Sequence, residues 1–149
     1  MKTTFKLVAF LLTITLLSCN ANLNLNDGIE GSGNVITEKR TINESFDKIS
    51  ASTGVTVIVE QGSPNDVEVE TDDNLMQYVI TKVENGTLIV KIEGNINTMS
   101  SIDVRVRMSS IVGLESTSGS RITSKNTLKG STIAVKSSSG SEIDAVLEY

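Results

Sequence analysis

Hydrophobic and polar residues alternate along three segments in the middle of the chain. Residues 54–60 place a valine at every second position, residues 67–70 alternate valine with glutamate, and residues 102–108 alternate apolar with charged side chains. A two-residue period is typical of strands that are buried on one face. We therefore expect three strands whose inward-facing side chains are Val55, Val57, Val59, Val67, Val69, Ile102, Val104, Val106 and Met108.

The segments between these strands also contain local structural signals. Residues 61–66 contain glycine, serine, asparagine and the only proline, a composition that predicts a turn. Asn85-Gly86 predicts a type I′ hairpin joining residues 80–84 to residues 88–93, because both central residues of that turn need positive φ. Residues 74–82 are ambiguous, and their apolar spacing allows one helical turn before a strand.

The last third of the chain repeats itself. Residues 112–123 (VGLESTSGSRIT) align with residues 133–144 (IAVKSSSGSEID), and Gly119 and Gly140 stand 21 residues apart. Short strands joined by serine-glycine corners at a fixed period predict the coils of a β-solenoid. The alternative is a serine-rich loop that resembles itself through composition alone. In the solenoid, we expect the inward-facing residues of the two leading strands to be Val112, Leu114, Ile133 and Val135.

Charged residues follow the same period. Glu115 matches Lys136 and Arg121 matches Glu142, so stacked coils would bring opposite charges together in two surface ion pairs. The second copy runs on to Tyr149, where the sequence stops. Because an open solenoid exposes unpaired strand edges, we expect either a chain truncated at this end, which we favour, or an edge covered by another chain.

The N-terminal segment has the layout of an export signal. Two lysines precede the apolar run Leu7–Leu17, and Leu16-Leu17-Ser18-Cys19 resembles the lipobox of bacterial lipoproteins. Eleven residues rise only about 16 Å as a helix, too little to cross a hydrocarbon core of about 30 Å. We therefore predict a signal peptide at residues 1–18, a lipid attached to Cys19, and a flexible tether over residues 19–27. An ordinary cleaved signal without lipidation is the alternative.

Composition excludes several classes of function. The net charge is −5, and loss of Lys2 and Lys6 with the signal would make it about −7, so a nucleic-acid interface is not expected. Histidine and tryptophan are absent and Cys19 is the only cysteine. Imidazole chemistry, disulfides and thiolate zinc sites are therefore excluded, and no cofactor is predicted.

One group of carboxylates is a candidate calcium site, and its members are Asp66, Glu68, Glu70, Asp72 and Asp73. Calcium sites need oxygen ligands that converge from a loop bent at a glycine. Here Glu68 and Glu70 are expected on the outer side of a strand, which spreads the carboxylates apart. We therefore predict a solvated acidic strand and turn, and no metal site.

From residue 28 onward the chain resembles the auto-transporter adhesin, head GIN domain family, a domain of unknown function. The matching features are Gly31, Gly33, Arg40, Phe46-Asp47-Lys48-Ile49, residues 55–62, Asn85-Gly86-Thr87-Leu88, residues 102–108 and the Ser-Gly-Ser repeats. The resemblance implies an all-β, right-handed parallel β-solenoid over residues 28–149, with short antiparallel hairpins in its N-terminal half. Members are often lipid-anchored, and the family pattern brings no catalytic residues.

The sequence therefore predicts a lipoprotein of the bacterial cell envelope, anchored to a membrane through Cys19. The outer membrane is favoured, and which face the domain occupies stays open. Its β domain is expected to be a binding or structural module without catalysis, contacting a protein or glycan partner through serine and threonine rows and strand edges. The alternative is a polysaccharide-active enzyme or accessory subunit, which needs a groove with two carboxylates roughly 5–10 Å apart.

Overall fold

The computed structural model describes residues 28–149, and in this range the chain is all-β, with 53% of its residues in strands and one short 3-10 helix at Met76–Tyr78. In chain order the strands are β1 (Ile29–Glu30), β2 (Val35–Lys39), β3 (Lys48–Ala51), β4 (Thr56–Gln61), β5 (Asp66–Asp72), β6 (Val79–Glu84), β7 (Thr87–Ile92), β8 (Ile96–Thr98), β9 (Ile102–Met108), β10 (Gly113–Ser116), β11 (Arg121–Ser124), β12 (Leu128–Lys129), β13 (Ala134–Ser137), β14 (Glu142–Asp144) and β15 (Leu147–Glu148). No helix in this range is long and apolar enough to cross a bilayer.

Two mixed sheets enclose one hydrophobic core. The first has six strands in the order β14-β11-β4-β9-β5-β2, and the second has five in the order β13-β10-β3-β7-β6. Two small parallel sheets, β1-β8 and β12-β15, complete the fold. β2-β5, β5-β9 and β6-β7 are antiparallel, and the other pairs in the two large sheets are parallel. The expected antiparallel elements in the N-terminal half are therefore present.

The strand predictions for the middle of the chain are confirmed. All nine side chains expected to face inward are buried, eight of them on β4, β5 and β9 and the ninth, Val55, just before β4. Asn85 and Gly86 have φ values of 49° and 74° and connect β6 to β7. The ambiguous segment contains the 3-10 helix followed by β6.

The 21-residue repeat forms stacked parallel strands. β10 pairs with β13 and β11 with β14, which puts Ile122 beside Ile143 and Ser116 beside Ser137. Each copy is a strand, a tight corner and a second strand that crosses to the other sheet, and we call this unit a layer. Ser118-Gly119 and Ser139-Gly140 form the corners, with φ between 52° and 72°.

A third layer precedes these two and was missed by the sequence reasoning. β3 and β4 pair in parallel with β10 and β11, so residues 48–59 align with residues 113–124. The corner at Thr53-Gly54 has φ values of 61° and 71°, like the other two. Ala51 and Val55 occupy the positions of the inner serines, which removes the serine pattern. Only the glycine and the hydroxyl residue before it signal this corner.

Val135 lies beside Leu114 in register, as predicted, but it is not buried. Leu114 is 2% exposed, whereas Val135 is 46% exposed. The two residues are paired in register, but β13 is the last strand of its sheet and no described strand covers it. Ile133 is buried as expected, and Val112 is half-buried.

Candidate functional site

Serine hydroxyls fill the inside of the corners and connect one layer to the next. Ser120 Oγ lies 2.9 Å from the carbonyl oxygen of Ala51 in the preceding layer and 2.7 Å from Ser116 Oγ. Ser141 Oγ donates to the carbonyl oxygen of Ser116 at 2.6 Å, which repeats the same contact one layer later. Because Ser116 and Ser120 are buried, these bonds satisfy hydroxyls that would otherwise destabilise the interior.

The predicted ion pairs between layers are confirmed. Lys136 Nζ lies 2.6 Å from Glu115 Oε1, and an Arg121 guanidinium nitrogen lies 2.8 Å from Glu142 Oε2. All four side chains are well exposed, so each pair contributes on the order of 0–1 kcal/mol. The pairs therefore help to set the register of the layers more than they stabilise the fold.

The outer face of the six-stranded sheet carries alternating charges around a shallow groove of about 160 Å³. Glu60 accepts hydrogen bonds from Lys125 at 2.9 Å and lies 3.3 Å from Arg107, and Arg105 binds Glu70 at 3.1 Å. The hydrogen bond from Lys125 lowers the pKa of Glu60 below its ordinary value. A general acid needs the opposite shift, so Glu60 is poorly suited to that role.

The five carboxylates of the candidate calcium site are divided between two places. Asp66 and Glu68 both lie within 3.5 Å of Lys39, and Glu70 binds an arginine, so these three face cations on neighbouring strands. The remaining two, Asp72 and Asp73, bind the loop at residues 31–34. No group of three or more metal-ligating side chains occurs within residues 28–149.

Asp72 is a buried carboxylate with a structural role that the sequence did not reveal. It accepts hydrogen bonds from the backbone and hydroxyl of Ser100, both at 2.8 Å, and from the Gly33 backbone at 2.9 Å. The Ser100 backbone bond is the main reason why the pKa of Asp72 is lowered, and burial opposes it. A Cβ at Gly31 would approach Asp72 Oδ2 to 2.3 Å. Gly31 and Gly33 therefore serve this contact and do not form a further layer corner.

Most large apolar side chains that remain exposed lie at the two ends of the stack. At the last layer they are Val135, Val146 and Tyr149, and near the β2 edge Val35 and Ile36 are exposed. β2 and β14 are the outermost strands of the six-stranded sheet. Among the described strands, the two outermost ones therefore lie near exposed apolar side chains, a combination that favours strand pairing.

Three predictions concern residues outside the described range. They are the signal peptide at residues 1–18, the lipid on Cys19 and the tether at residues 19–27. They stay predictions, because the structure describes the chain only from Gly28 onward.

Comparison with known proteins places the chain in a family. The model of the "putative auto-transporter adhesin, head GIN domain" matches residues 45–149. No curated protein matches the chain. The fold is similar to the crystal structure of a putative adhesin from Parabacteroides merdae ATCC 43184, with a TM-score of 0.66 and 24% identity; the match covers 74% of this chain and 47% of that chain. It is also similar to a putative adhesin from Bacteroides fragilis NCTC 9343, with a TM-score of 0.72 and 18% identity; this match covers 81% of this chain and 58% of that chain.

A third similar structure is a putative lipid binding protein from Parabacteroides distasonis ATCC 8503, with a TM-score of 0.65 and 19% identity. The match covers 73% of this chain and 48% of that chain. The chain thus spans about half the length of these solved structures. At these identities the likeness shows the fold alone.

Proposed function

The chain belongs to the auto-transporter adhesin, head GIN domain family, and on that premise we propose that it is an adhesin-like envelope lipoprotein whose β domain binds a partner. In this proposal residues 1–18 are a signal peptide, Cys19 carries the lipid, residues 19–27 are the tether, and residues 28–149 form a right-handed β-solenoid domain. Family membership supports a location in the cell envelope or at the surface. The anchor at Cys19 would hold the domain at a membrane.

Beside family membership, the observation that supports a binding role is the set of exposed charged side chains on the outer faces of the layers. Lys136 with Glu115 and Arg121 with Glu142 form rows of charge across the layers, and all four side chains are well exposed. A partner surface with complementary charges can recognise such rows, and this complementarity provides specificity. We propose a protein partner over a glycan, because tryptophan is absent and sugar rings usually stack on aromatic side chains.

Binding is tested with the domain from Asn20 onward in a pull-down and on a glycan array. Lys136→Glu and Glu142→Lys should weaken capture of a protein partner, because they reverse exposed charges in these rows. Lys82→Glu, an exposed position on β6 at the far edge of the other sheet, is the matched control. Capture of a glycan without capture of a protein would show that the partner is a glycan and not a protein. Depolymerisation of a polysaccharide would overturn the binding role.

The anchor is tested separately by growing cells with a clickable fatty-acid analogue. One acyl chain gives only marginal binding, whereas each buried CH₂ contributes about 0.8 kcal/mol and two chains anchor firmly. The wild type should be labelled and remain with membranes, and Cys19→Ala should lose both properties. An unlabelled wild type would contradict lipidation and leave an ordinary cleaved signal.

A further inference from the structure

Within residues 28–149, the outer edge of β2 has backbone groups that bind no neighbouring strand. β2 is antiparallel to β5, and in such a ladder only every second residue exchanges hydrogen bonds. Just beyond the two ends of β2, the Asp73 N–H donates to the Asn34 carbonyl and the Arg40 N–H donates to the Val67 carbonyl. Since Asn34 and Arg40 bond to the β5 side, the even-numbered residues between them do so as well. The N–H and C=O groups of Val35, Thr37 and Lys39 therefore point to the open edge.

This edge has little of the protection that isolated edge strands usually have. Proteins guard such edges with charges, proline, bulges or a covering segment. In β2 the charged residues stand only at the C-terminal end, and all five residues are exposed. Val35 and Ile36 are 43% and 38% exposed, and successive side chains of a strand lie on opposite faces. The N-terminal half of β2 thus offers free backbone and apolar surface together.

The sequence of β2 complements itself when two copies pair antiparallel. A two-fold axis at Thr37 keeps all five residues paired and places Val35 opposite Lys39 and Ile36 opposite Glu38 of the other copy. No like charges meet, and the central threonine pair is a favourable one. A register centred on Glu38 or Lys39 would oppose two like charges, which is destabilising.

We propose that the protein forms a homodimer through antiparallel pairing of β2 with β2 of a second copy, centred on Thr37. The pairing joins two six-stranded sheets edge to edge. Because β14 is the outermost strand on the opposite side of each sheet, the two last layers face away from the dimer contact. Two copies of the domain on one particle would raise avidity for a partner displayed in many copies. The dimer itself does not depend on the proposed binding role.

Cysteine cross-linking in membranes tests the register with the full chain. Opposed residues in a hydrogen-bonded antiparallel pair have Cα atoms about 5.5 Å apart, which a disulfide can span. After oxidation, Thr37→Cys should give a dimer band several-fold stronger than Thr132→Cys, an exposed position outside the strands. The wild type, with Cys19 as its only cysteine, sets the baseline.

The neighbouring positions distinguish this register from others. Val35→Cys and Lys39→Cys should each cross-link poorly alone, whereas the two variants expressed together with different tags should form a mixed disulfide. A Thr37→Cys band no stronger than that of Thr132→Cys would overturn the proposal. A stronger band from Thr81→Cys, on the free edge of β6, would also overturn it by assigning the contact to the other sheet.

Discussion

The layer built from β3 and β4 and the layer built from β10 and β11 have the same corner but different interiors. In the first, Ala51 and Val55 face inward, and in the second Ser116 and Ser120 stand at the matching positions. All four residues are 1% exposed or less. The same backbone path therefore accepts either apolar side chains or hydroxyls.

The two fillings stabilise the stack by different physical means. An apolar pair contributes through burial, which needs no orientation. A serine pair contributes only when each hydroxyl finds a partner, because an unsatisfied buried polar group is destabilising. Ser120 meets this condition by reaching the Ala51 carbonyl of the neighbouring layer. The Ser120 hydroxyl thus adds a directional bond between the two layers, whereas Ala51 and Val55 contribute by burial alone.

The largest effect should come from the paired residues Ile122 and Ile143. Ile122 lies in an inner layer and Ile143 in the last described layer. Ile122 is 0% exposed and pairs in register with Ile143, which is half-buried. Ile122→Ala should lower the free energy of unfolding by about 2–5 kcal/mol, the range for large-to-small core substitutions. Ile143→Ala should cost clearly less, because no described layer covers it. Urea denaturation measures both, and equal losses would mean that the last layer is covered in solution.

The serine pair should give a smaller effect. Ser120→Ala should lower the free energy of unfolding by about 1–3 kcal/mol, because the hydroxyl of Ser116 loses a buried partner. Combining Ser116→Ala with Ser120→Val recreates the filling of the upstream layer. Since replacing both partners of a buried hydrogen bond can be nearly neutral, the double variant should lose less than the sum of Ser116→Ala and Ser120→Val measured singly.

Ser141→Ala is the matched control for this pair. Ser141 makes the same contact to the preceding layer but is only half-buried, so water can replace the lost bond. A loss from Ser141→Ala as large as that from Ser120→Ala would contradict the role of burial. Additive losses in the Ser116 and Ser120 variants would show that the two hydroxyls act independently.

The contrast between these layers also explains which parts of the fold could be predicted from the sequence. Alternation placed Val57 and its neighbours correctly, and the serine period placed the last two layers. The layer at residues 48–59 was missed because Ala51 and Val55 do not match the serines. The sequence predicts a solvated turn at Asp72 and does not reveal its burial, because its partners Gly33 and Ser100 are distant in sequence. The exposure of Val135 depends on which strand follows in space, and no local pattern encodes that.

The smallest effect is expected from the ion pair that joins the layer of β3 and β4 to the layer of β10 and β11. Lys125, just after β11, binds Glu60 on β4, and this bond is the main cause of the lowered pKa of Glu60. A carboxyl group with a lowered pKa in the folded state stabilises the fold above its unfolded pKa. That contribution disappears as the pH falls through the folded pKa. Salt should weaken it further, because both groups are at the surface.

Lys125→Gln should therefore raise the pKa of Glu60 toward its ordinary value, although Arg107 still lowers it. NMR titration of the Glu60 carboxyl carbon measures this pKa. The control is Lys136→Gln, which removes the partner of Glu115 and should leave the pKa of Glu60 unchanged. Stability of the variant should approach that of the wild type in acid and fall below it at neutral pH. If the Glu60 pKa does not move, Arg107 alone sets it and the two layers are joined here by hydrogen bonds, not charge.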